Sequence, residues 1–194
     1  AAVAVLVGGW LFAGVVLLAV LIMAYEWAVL AAPHAPWPMA AAMGAVAWLA
    51  ILALQLGAPL TAATVALVGP VLAAGVLRLL AAGHLGRTAL GGLYVGVPAL
   101  SLVWLRNEVP GGREHVMWLL LVVWSTDVCA YFVGRTLGGP KLAPRISPGK
   151  TWAGLLGGIV GAALLGGLAG WAVGAGFGFP AAIAVVLAVV SQAG

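Results

Sequence analysis

The chain has 194 residues, of which 65% are hydrophobic and only 6% are charged. No soluble core uses that much apolar surface, and several apolar runs reach or approach ~20 residues, the length of a helix that crosses a bilayer. Backbone groups in lipid must be paired internally, and strict apolar–polar alternation is absent, so helices are favoured over a β-barrel. The predicted fold class is all-α: a polytopic transmembrane helical bundle with about six to seven spans, forming a single membrane domain over residues 1–194.

The charge balance and the cysteine count exclude other classes of protein. The net charge is only +4, and its cations form short clusters with no soluble domain around them, which argues against nucleic acid as a partner. The single cysteine, Cys129, has no partner for an intrachain disulfide or a CxxC metal pair. The chain begins at Ala1 rather than at a methionine and stops inside an apolar run, so we expect it to be part of a longer protein.

The predicted spans follow one another with short connections. The Gly8-Gly9 pair is expected to separate residues 1–7 from a first complete span at about 10–30. Residues 31–38 contain three prolines and are predicted as a turn. Further spans are predicted at about 40–56, 61–80, 89–105, 116–134 and 152–173, and residues 174–180 are predicted as a turn before a last, shortened span.

The loops with unopposed cations set the predicted orientation. These loops are residues 78–87 and 135–150, and two predicted spans separate them, so they lie on the same side of the membrane. The positive-inside rule places both in the cytoplasm. Loop 106–115, whose positive and negative charges balance, is placed outside.

Asp127 is the acidic residue that lies deepest inside a predicted span. A carboxylate at that depth costs several kcal/mol unless it is solvated or paired. Asp127, Tyr131 and Arg135 are spaced i, i+4, i+8, so they share one helix face that points at the cytoplasmic mouth. A carboxylate there suits Mg²⁺, which favours oxygen ligands and phosphate co-ligands.

Residues 135–151 are predicted to form a cytoplasmic basic phosphate-binding loop. A helix is expected to open near Thr151, and a helix N-terminus with adjacent Lys150 and Thr151 is a suitable phosphate site. The segment is not a P-loop, because GxxxxGK[ST] is not matched. The cations of the segment are Arg135, Lys141, Arg145 and Lys150, and its additional hydroxyl groups include Ser147 and Thr151.

Two other interpretations of these residues stay open at this point. Short cationic loops also act only as topology determinants that bind anionic headgroups. An intramembrane aspartate such as Asp127 also serves transporters and proton relays.

In the following span, the small-xxx-small pairs Gly154/Gly158, Gly157/Gly161 and Gly166/Gly170 predict close helix packing, either inside the bundle or in a homodimer.

The segment from Thr126 to Gly154 reads TDxxAYxxGRxxGxxKLxPxISPxKTWxG, and it resembles the phosphatidate cytidylyltransferases, also called CDP-diacylglycerol synthases. Weaker similarities to that family are Glu26-Trp27, the stretch 94–100 and the residues 191–194 at the end of the chain.

The resemblance implies an integral membrane enzyme that transfers CMP from CTP to phosphatidate and releases pyrophosphate. It implies Mg²⁺ as cofactor and an active site that faces the cytoplasm from the inner membrane of a bacterium. By the same resemblance, Asp127 is assigned to catalysis and to the metal, and Lys150 to catalysis. The substrate-binding residues so implied are Tyr131, Arg135, Lys141, Arg145, Ser147 and Thr151.

The chain departs from the family pattern in three places. Ala153 stands where the family usually has Glu, and Gly149 stands where it often has a second Lys. The acidic signature of the family is expected beyond Gly194, so we expect residues 1–194 alone to be inactive. The rival hypotheses are a polyprenol kinase-like enzyme that uses CTP, an ion-coupled transporter, and a lipid-binding scaffold without catalysis.

Overall fold

The computed structural model describes residues 2–80, 85–144 and 147–193. The chain forms two compact units, Ala1–Arg113 and Glu114–Gly194, and each is described by itself. Within the described residues, six helices are long and apolar enough to cross a membrane, and a shorter apolar helix lies near the end of the chain. The predicted class, a polytopic helical membrane protein, is therefore confirmed.

The first unit consists of helices joined by short turns. The bounds are α1 (Ala2–Val7), α2 (Gly9–Ala31), α3 (Pro36–Gln55), α4 (Pro59–Leu79) and α5 (Leu85–Asn107). The second unit contains most of α6 (Gly112–Leu137), a two-stranded hairpin of β1 (Lys141–Ala143) and β2 (Ser147–Thr151), and the helices α7 (Trp152–Ala172) and α8 (Gly178–Ala193).

Small side chains fill the helix contacts of the first unit. Ala24 and Ala28 on α2 and Ala74 on α4 are fully buried, whereas the larger Leu30 and Leu60 are 82% and 84% exposed. This distribution suits a lipid surrounding, because lipid tails are as apolar as leucine and helix association depends on close backbone packing.

The break between α1 and α2 is stabilised by an arginine from α5. Gly8 has a φ of 72°, in the left-handed region that glycine adopts without strain. The guanidinium of Arg106 lies against Gly8 and donates hydrogen bonds to the carbonyl oxygens of Val5 and Leu6. These carbonyls belong to the last turn of α1, where a helix has no partners of its own for them. The expected break at Gly8-Gly9 is therefore confirmed.

A second arginine links the end of α2 to the start of α5. Arg87 Nη1 donates to the carbonyl oxygen of Ala31 at 2.6 Å, and Trp27 Nε1 donates to the carbonyl oxygen of Arg87 at 3.0 Å. The indole of Trp27 packs on Gly91, where a Cβ would overlap it. Two polar side chains thus satisfy backbone groups that lipid could not.

Two predicted turns are too long. The turn predicted at 31–38 is wrong for its last residues, because α3 already begins at Pro36. Proline needs no N–H partner in the first turn of a helix, so Pro36 and Pro38 start a helix rather than prevent one. The turn predicted at 174–180 is likewise wrong only for its last residues, since α8 begins at Gly178 and includes Pro180.

The loop predicted at 78–87 is shorter than expected. Arg78 lies in the last turn of α4, and Arg87 lies in the first turn of α5. Residues 81–84, which include His84, lie outside the described residues.

The glycines of α7 bring two neighbouring helices close. A Cβ at Gly158 would lie 3.0 Å from the Thr126 carbonyl oxygen of α6, and a Cβ at Gly161 would overlap Cys129 of α6. A Cβ at Gly170 would overlap Pro180 of α8. The small-xxx-small pairs therefore serve packing inside this unit.

We expect Gly158→Ala to lower the free energy of unfolding in detergent by about 1–3 kcal/mol, because the new methyl group meets the fixed backbone of α6. Gly75→Ala is the matched control, since a Cβ at Gly75 on α4 meets nothing within 4 Å. Denaturant titration of both variants checks this, and equal stability of the two would contradict the packing described for α7.

Candidate active site

One face of α6 forms a wall of the candidate site. Asp127, Tyr131 and Arg135 all line the same cavity, as their helical spacing predicts. Arg135 Nη1 donates to the Tyr131 hydroxyl oxygen at 2.6 Å, and the guanidinium carbon lies 5.9 Å from the centre of the Tyr131 ring. Ala130 and Gly134 lie beside them, and their small size leaves the helix face open.

A glycine turn and a hairpin follow α6. Gly138 and Gly139 have φ values of 62° and 94°, so the chain reverses through backbone conformations that favour glycine. The strands β1 and β2 then pair antiparallel, with Lys141 opposite Thr151. The Trp152 N–H donates to the Pro140 carbonyl oxygen at 3.1 Å and closes the base of the hairpin.

Sequence reasoning treated residues 135–150 as a loop and missed these strands. Neither strand shows apolar–polar alternation, and β2 contains Pro148 and Gly149, which are depleted in strands. The first residues of the segment, Arg135 to Leu137, belong to the end of α6.

Thr151 ends the hairpin and caps α7. Its side-chain oxygen accepts a hydrogen bond from the Gly154 N–H at 3.0 Å, and the residue is buried. The expectation that a helix opens near Thr151 is confirmed. The cap lies against α6, because a Cβ at Gly134 would be 3.0 Å from Thr151 Oγ1 and 3.2 Å from Gly154 Cα. The N-terminus of α7, with its partial positive charge, is thereby held at the wall that carries Asp127.

Lys150 is held by the end of α8. Its Nζ donates to the Gln192 carbonyl oxygen at 2.9 Å, in a partly buried position. A backbone carbonyl oxygen carries partial negative charge, so it forms a charge-assisted hydrogen bond with an ammonium group. This bond fixes the lysine beside the cavity.

The cavity between these elements has a volume of about 750 Å³, within the range of about 300–1,000 Å³ that is typical of ligand pockets. Among the described residues that line it, three are cations and one is an acid. The lining residues are Asp127, Ala130, Tyr131, Gly134, Arg135, Gly138, Gly139, Lys141, Leu142, Gly149, Lys150, Thr151, Gly154, Leu155, Ser191 and Gln192. This charge balance suits a ligand with several negative charges.

Most of the predicted site residues lie together in this cavity. Asp127, Tyr131, Arg135, Lys141, Lys150 and Thr151 line it. Ser147 lies in β2 opposite Ala143 and is not among the lining residues. Arg145 lies outside the described residues. The assigned roles of all these residues stay predictions.

Ser191 and Gln192 were not among the predicted site residues. They line the cavity at the end of α8, and the Gln192 backbone binds Lys150. The signal in the sequence was a polar pair, Ser191-Gln192, after an otherwise apolar run.

Asp127, the acidic residue of the cavity, is not part of a larger group of metal-binding side chains among the described residues. Among the described residues, no group of three or more His, Cys, Asp or Glu side chains is placed to hold a metal ion. Asp127 alone still fits Mg²⁺, because this ion is commonly bound through one or two carboxylates, waters and the phosphates of a substrate.

The fold and this cavity define an integral membrane protein with a cavity lined mainly by cations among its charged residues. The model of the Cytidylyltransferase family matches residues 1–194, and the chain belongs to that family. This membership does not favour the transporter or polyprenol kinase hypotheses.

Named relatives agree with this assignment. The chain is 49% identical over 111 residues to a protein of Brucella suis called phosphatidate cytidylyltransferase, covering 56% of this chain and 41% of the relative. It is 42% identical over 77 residues to the protein of that name from Bacillus subtilis, covering 40% of this chain and 29% of the relative. The chain thus spans less than half the length of these relatives. No solved structure matches it.

We expect Thr151→Ala to lower the free energy of unfolding by about 1 kcal/mol, because the cap of α7 is lost. Thr151→Ser keeps the oxygen and should retain most of the stability. Thr136→Ala is the matched control, since the Thr136 hydroxyl is exposed and bonds only to carbonyls of its own helix. Unfolding in detergent measures all three, and a Thr151→Ala variant as stable as Thr136→Ala would rule out the cap.

Proposed function

We propose that the protein containing this chain transfers CMP from CTP to phosphatidate, forming CDP-diacylglycerol and pyrophosphate. The observation that supports this most is the convergence of Asp127, Lys150 and the N-terminus of α7 on one cavity in a member of the Cytidylyltransferase family. The names of the relatives agree with this reaction.

The reaction needs positioning and charge stabilisation more than acid–base chemistry. An anionic phosphate oxygen of phosphatidate attacks the α-phosphorus of CTP, and the bond from that phosphorus to the bridging β-phosphate oxygen breaks. Pyrophosphate leaves with the electron pair of that bond. Because the nucleophile is already anionic, no general base such as the histidine of a serine–histidine pair is required to activate it. Cations that neutralise charge on the phosphoryl oxygens lower the activation barrier.

Lys150 is the cation best placed for the leaving group. Its ammonium is held by the Gln192 carbonyl and keeps further N–H donors for a phosphate oxygen. The N-terminal N–H groups of α7, next to Thr151, add an anion site of the kind found at helix N-termini. Lys141 lines the same cavity from the opposite strand.

Asp127 would hold Mg²⁺ together with waters and phosphate oxygens of the substrate. When bound, the ion would neutralise charge on the phosphates that change bonds. Asp127 suits this role, because Mg²⁺ keeps several of its waters and uses substrate phosphates as further ligands.

The protein is an integral membrane protein, and we place it in the inner membrane of a bacterium with the cavity facing the cytoplasm. The supporting argument is that the connection between α6 and α7 carries unopposed cations, which the positive-inside rule assigns to the cytoplasm. A homodimer would need a surface other than the glycines of α7, because these meet α6 and α8 within the same unit.

For the full-length gene product in mixed micelles with Mg²⁺, we expect Asp127→Asn to lower kcat for CDP-diacylglycerol formation at least about 100-fold, because a metal ligand is lost. Glu26→Gln is the matched control: it makes the same carboxylate-to-amide change at an exposed residue of α2 that does not line the cavity. A wild-type protein that folds and makes no CDP-diacylglycerol would refute the proposed reaction. Full activity of Asp127→Asn would refute the role of Asp127.

We expect Lys150→Met to raise the KM for CTP about 10- to 100-fold, because a charge-assisted hydrogen bond to phosphate is lost. Arg78→Met removes a positive charge at the exposed end of α4 and serves as control. Steady-state kinetics with CTP varied at saturating phosphatidate measure both. A KM for CTP that is equal in the two variants would contradict the assignment of Lys150.

A further inference from the structure

Within the described part of the chain, the Tyr131–Arg135 pair has hydrogen-bond donors without an acceptor. The Tyr131 hydroxyl oxygen accepts its hydrogen bond from Arg135, so the hydroxyl proton can donate to a bound group. The guanidinium has five N–H donors in a planar fork, and its bond to Tyr131 uses one of them. Side by side on the cavity wall, the two side chains offer several donors to a tetrahedral anion.

An exposed apolar strip lies beside this pair. Trp124, Val128 and Phe132 are spaced by four residues along α6 and are 53%, 53% and 60% exposed. The Phe132 ring meets the Tyr131 ring edge-on, with the ring centres 5.6 Å apart. None of the three strip residues lines the cavity. The pair therefore stands at a border, with a cationic cavity on one side and an apolar, lipid-type surface on the other.

The other cation held in place has different surroundings. Lys150 lies on β2, bonded to the end of α8 and next to the capped N-terminus of α7. Its strand, Ser147, Pro148, Gly149, Lys150 and Thr151, carries no exposed aromatic or β-branched strip of this kind, and the large aliphatic residues that line the cavity with it are Leu142 and Leu155. A water-soluble polyphosphate needs only such polar groups, whereas a lipid phosphate needs a cation with an apolar surface beside it.

We propose that the Tyr131–Arg135 pair binds the phosphate of the lipid acceptor and that the strip of Trp124, Val128 and Phe132 receives its acyl chains. This rests on the proposed function, and it divides the cavity between its two substrates. The lipid phosphate is bound from α6, and the nucleotide phosphates are bound from β2 and the N-terminus of α7. A phosphate monoester with two chains fits the first subsite, because it presents several terminal oxygens to the donors and two hydrocarbon tails to the strip.

The first test separates the two KM values of the full-length protein in mixed micelles. Tyr131→Phe and Arg135→Lys should each raise the KM for dioleoyl-phosphatidate about tenfold and leave the KM for CTP within about twofold. Thr136→Val is the matched control, because Thr136 is an exposed neighbour on α6 whose hydroxyl bonds only to its own helix. A rise in the KM for CTP instead, or an equal rise in both values, would overturn the proposal.

The second test concerns the acyl chains. Phe132→Ala should raise the KM for dioleoyl-phosphatidate about three- to tenfold and change the KM for dihexanoyl-phosphatidate less, because short chains cover less of the strip. Phe179→Ala, at an exposed phenylalanine of α8, is the control and should change neither value. An equal effect of Phe132→Ala on both lipids would overturn the assignment of the strip.

The third test needs no turnover and separates this proposal from the proposed reaction. Wild-type protein without CTP should retain dioleoyl-phosphatidate in preference to dioleoyl-phosphatidylcholine through purification, and Tyr131→Phe should lose most of that preference. A wild type that retains phosphatidate but makes no CDP-diacylglycerol would refute the reaction and keep the lipid subsite. A wild type with no preference, or a Tyr131→Phe variant with an unchanged one, would refute the subsite.

Discussion

The close approach of α6 and α7 at Gly134 and Gly154 is the contact on which the candidate site depends. A Cβ at Gly154 would lie 2.9 Å from the Ala130 carbonyl oxygen, so larger residues would push the helices apart. With glycine on both sides, the cap of α7 at Thr151 reaches the face of α6 that carries Asp127. Small residues at such crossings are the usual means by which membrane helices pack closely.

Among the described residues, three cations donate hydrogen bonds to backbone carbonyls of a helix. Arg106 donates to the last turn of α1, Arg87 to the end of α2, and Lys150 to the end of α8. For Arg106 and Arg87, the side chain satisfies carbonyls at a helix end that lipid would leave without partners. The first two of these cations stabilise the fold of the first unit. Lys150 differs from them because it also lines a cavity with an acid in it. The function of a cation in this protein therefore follows from the groups around it, and the number of cations alone does not indicate a function.

The membrane-spanning helices could be predicted from the sequence, because an apolar run of about 20 residues is rarely anything other than a transmembrane helix. It also predicts that Asp127, Tyr131 and Arg135 share one face, since that follows from helical spacing alone. It overextends the turns around Pro36 and Pro180, because proline both breaks helices and begins them. The errors thus fall where a local signal has two structural meanings.

The parts of the site that depend on distant residues could not be predicted in this way. The bond between Lys150 and the Gln192 carbonyl joins residues 42 positions apart, and a backbone oxygen leaves no mark in the sequence. The hairpin was missed because its pairing is local but its composition is not that of strands. The segment from Thr126 to Gly154, in contrast, indicated the family by resemblance, and the family is confirmed over the whole chain.

The proposed cytidylyl transfer is tested most directly by following the α- and the γ-phosphorus of CTP separately. Phosphatidate and Mg²⁺ are incubated with the full-length protein and with CTP labelled at either the α- or the γ-phosphorus. Cytidylyl transfer predicts that the α label enters the lipid product and that the γ label leaves in pyrophosphate. Appearance of the γ label in a lipid, with release of CDP, would contradict the account, because it would mean phosphoryl transfer at this site.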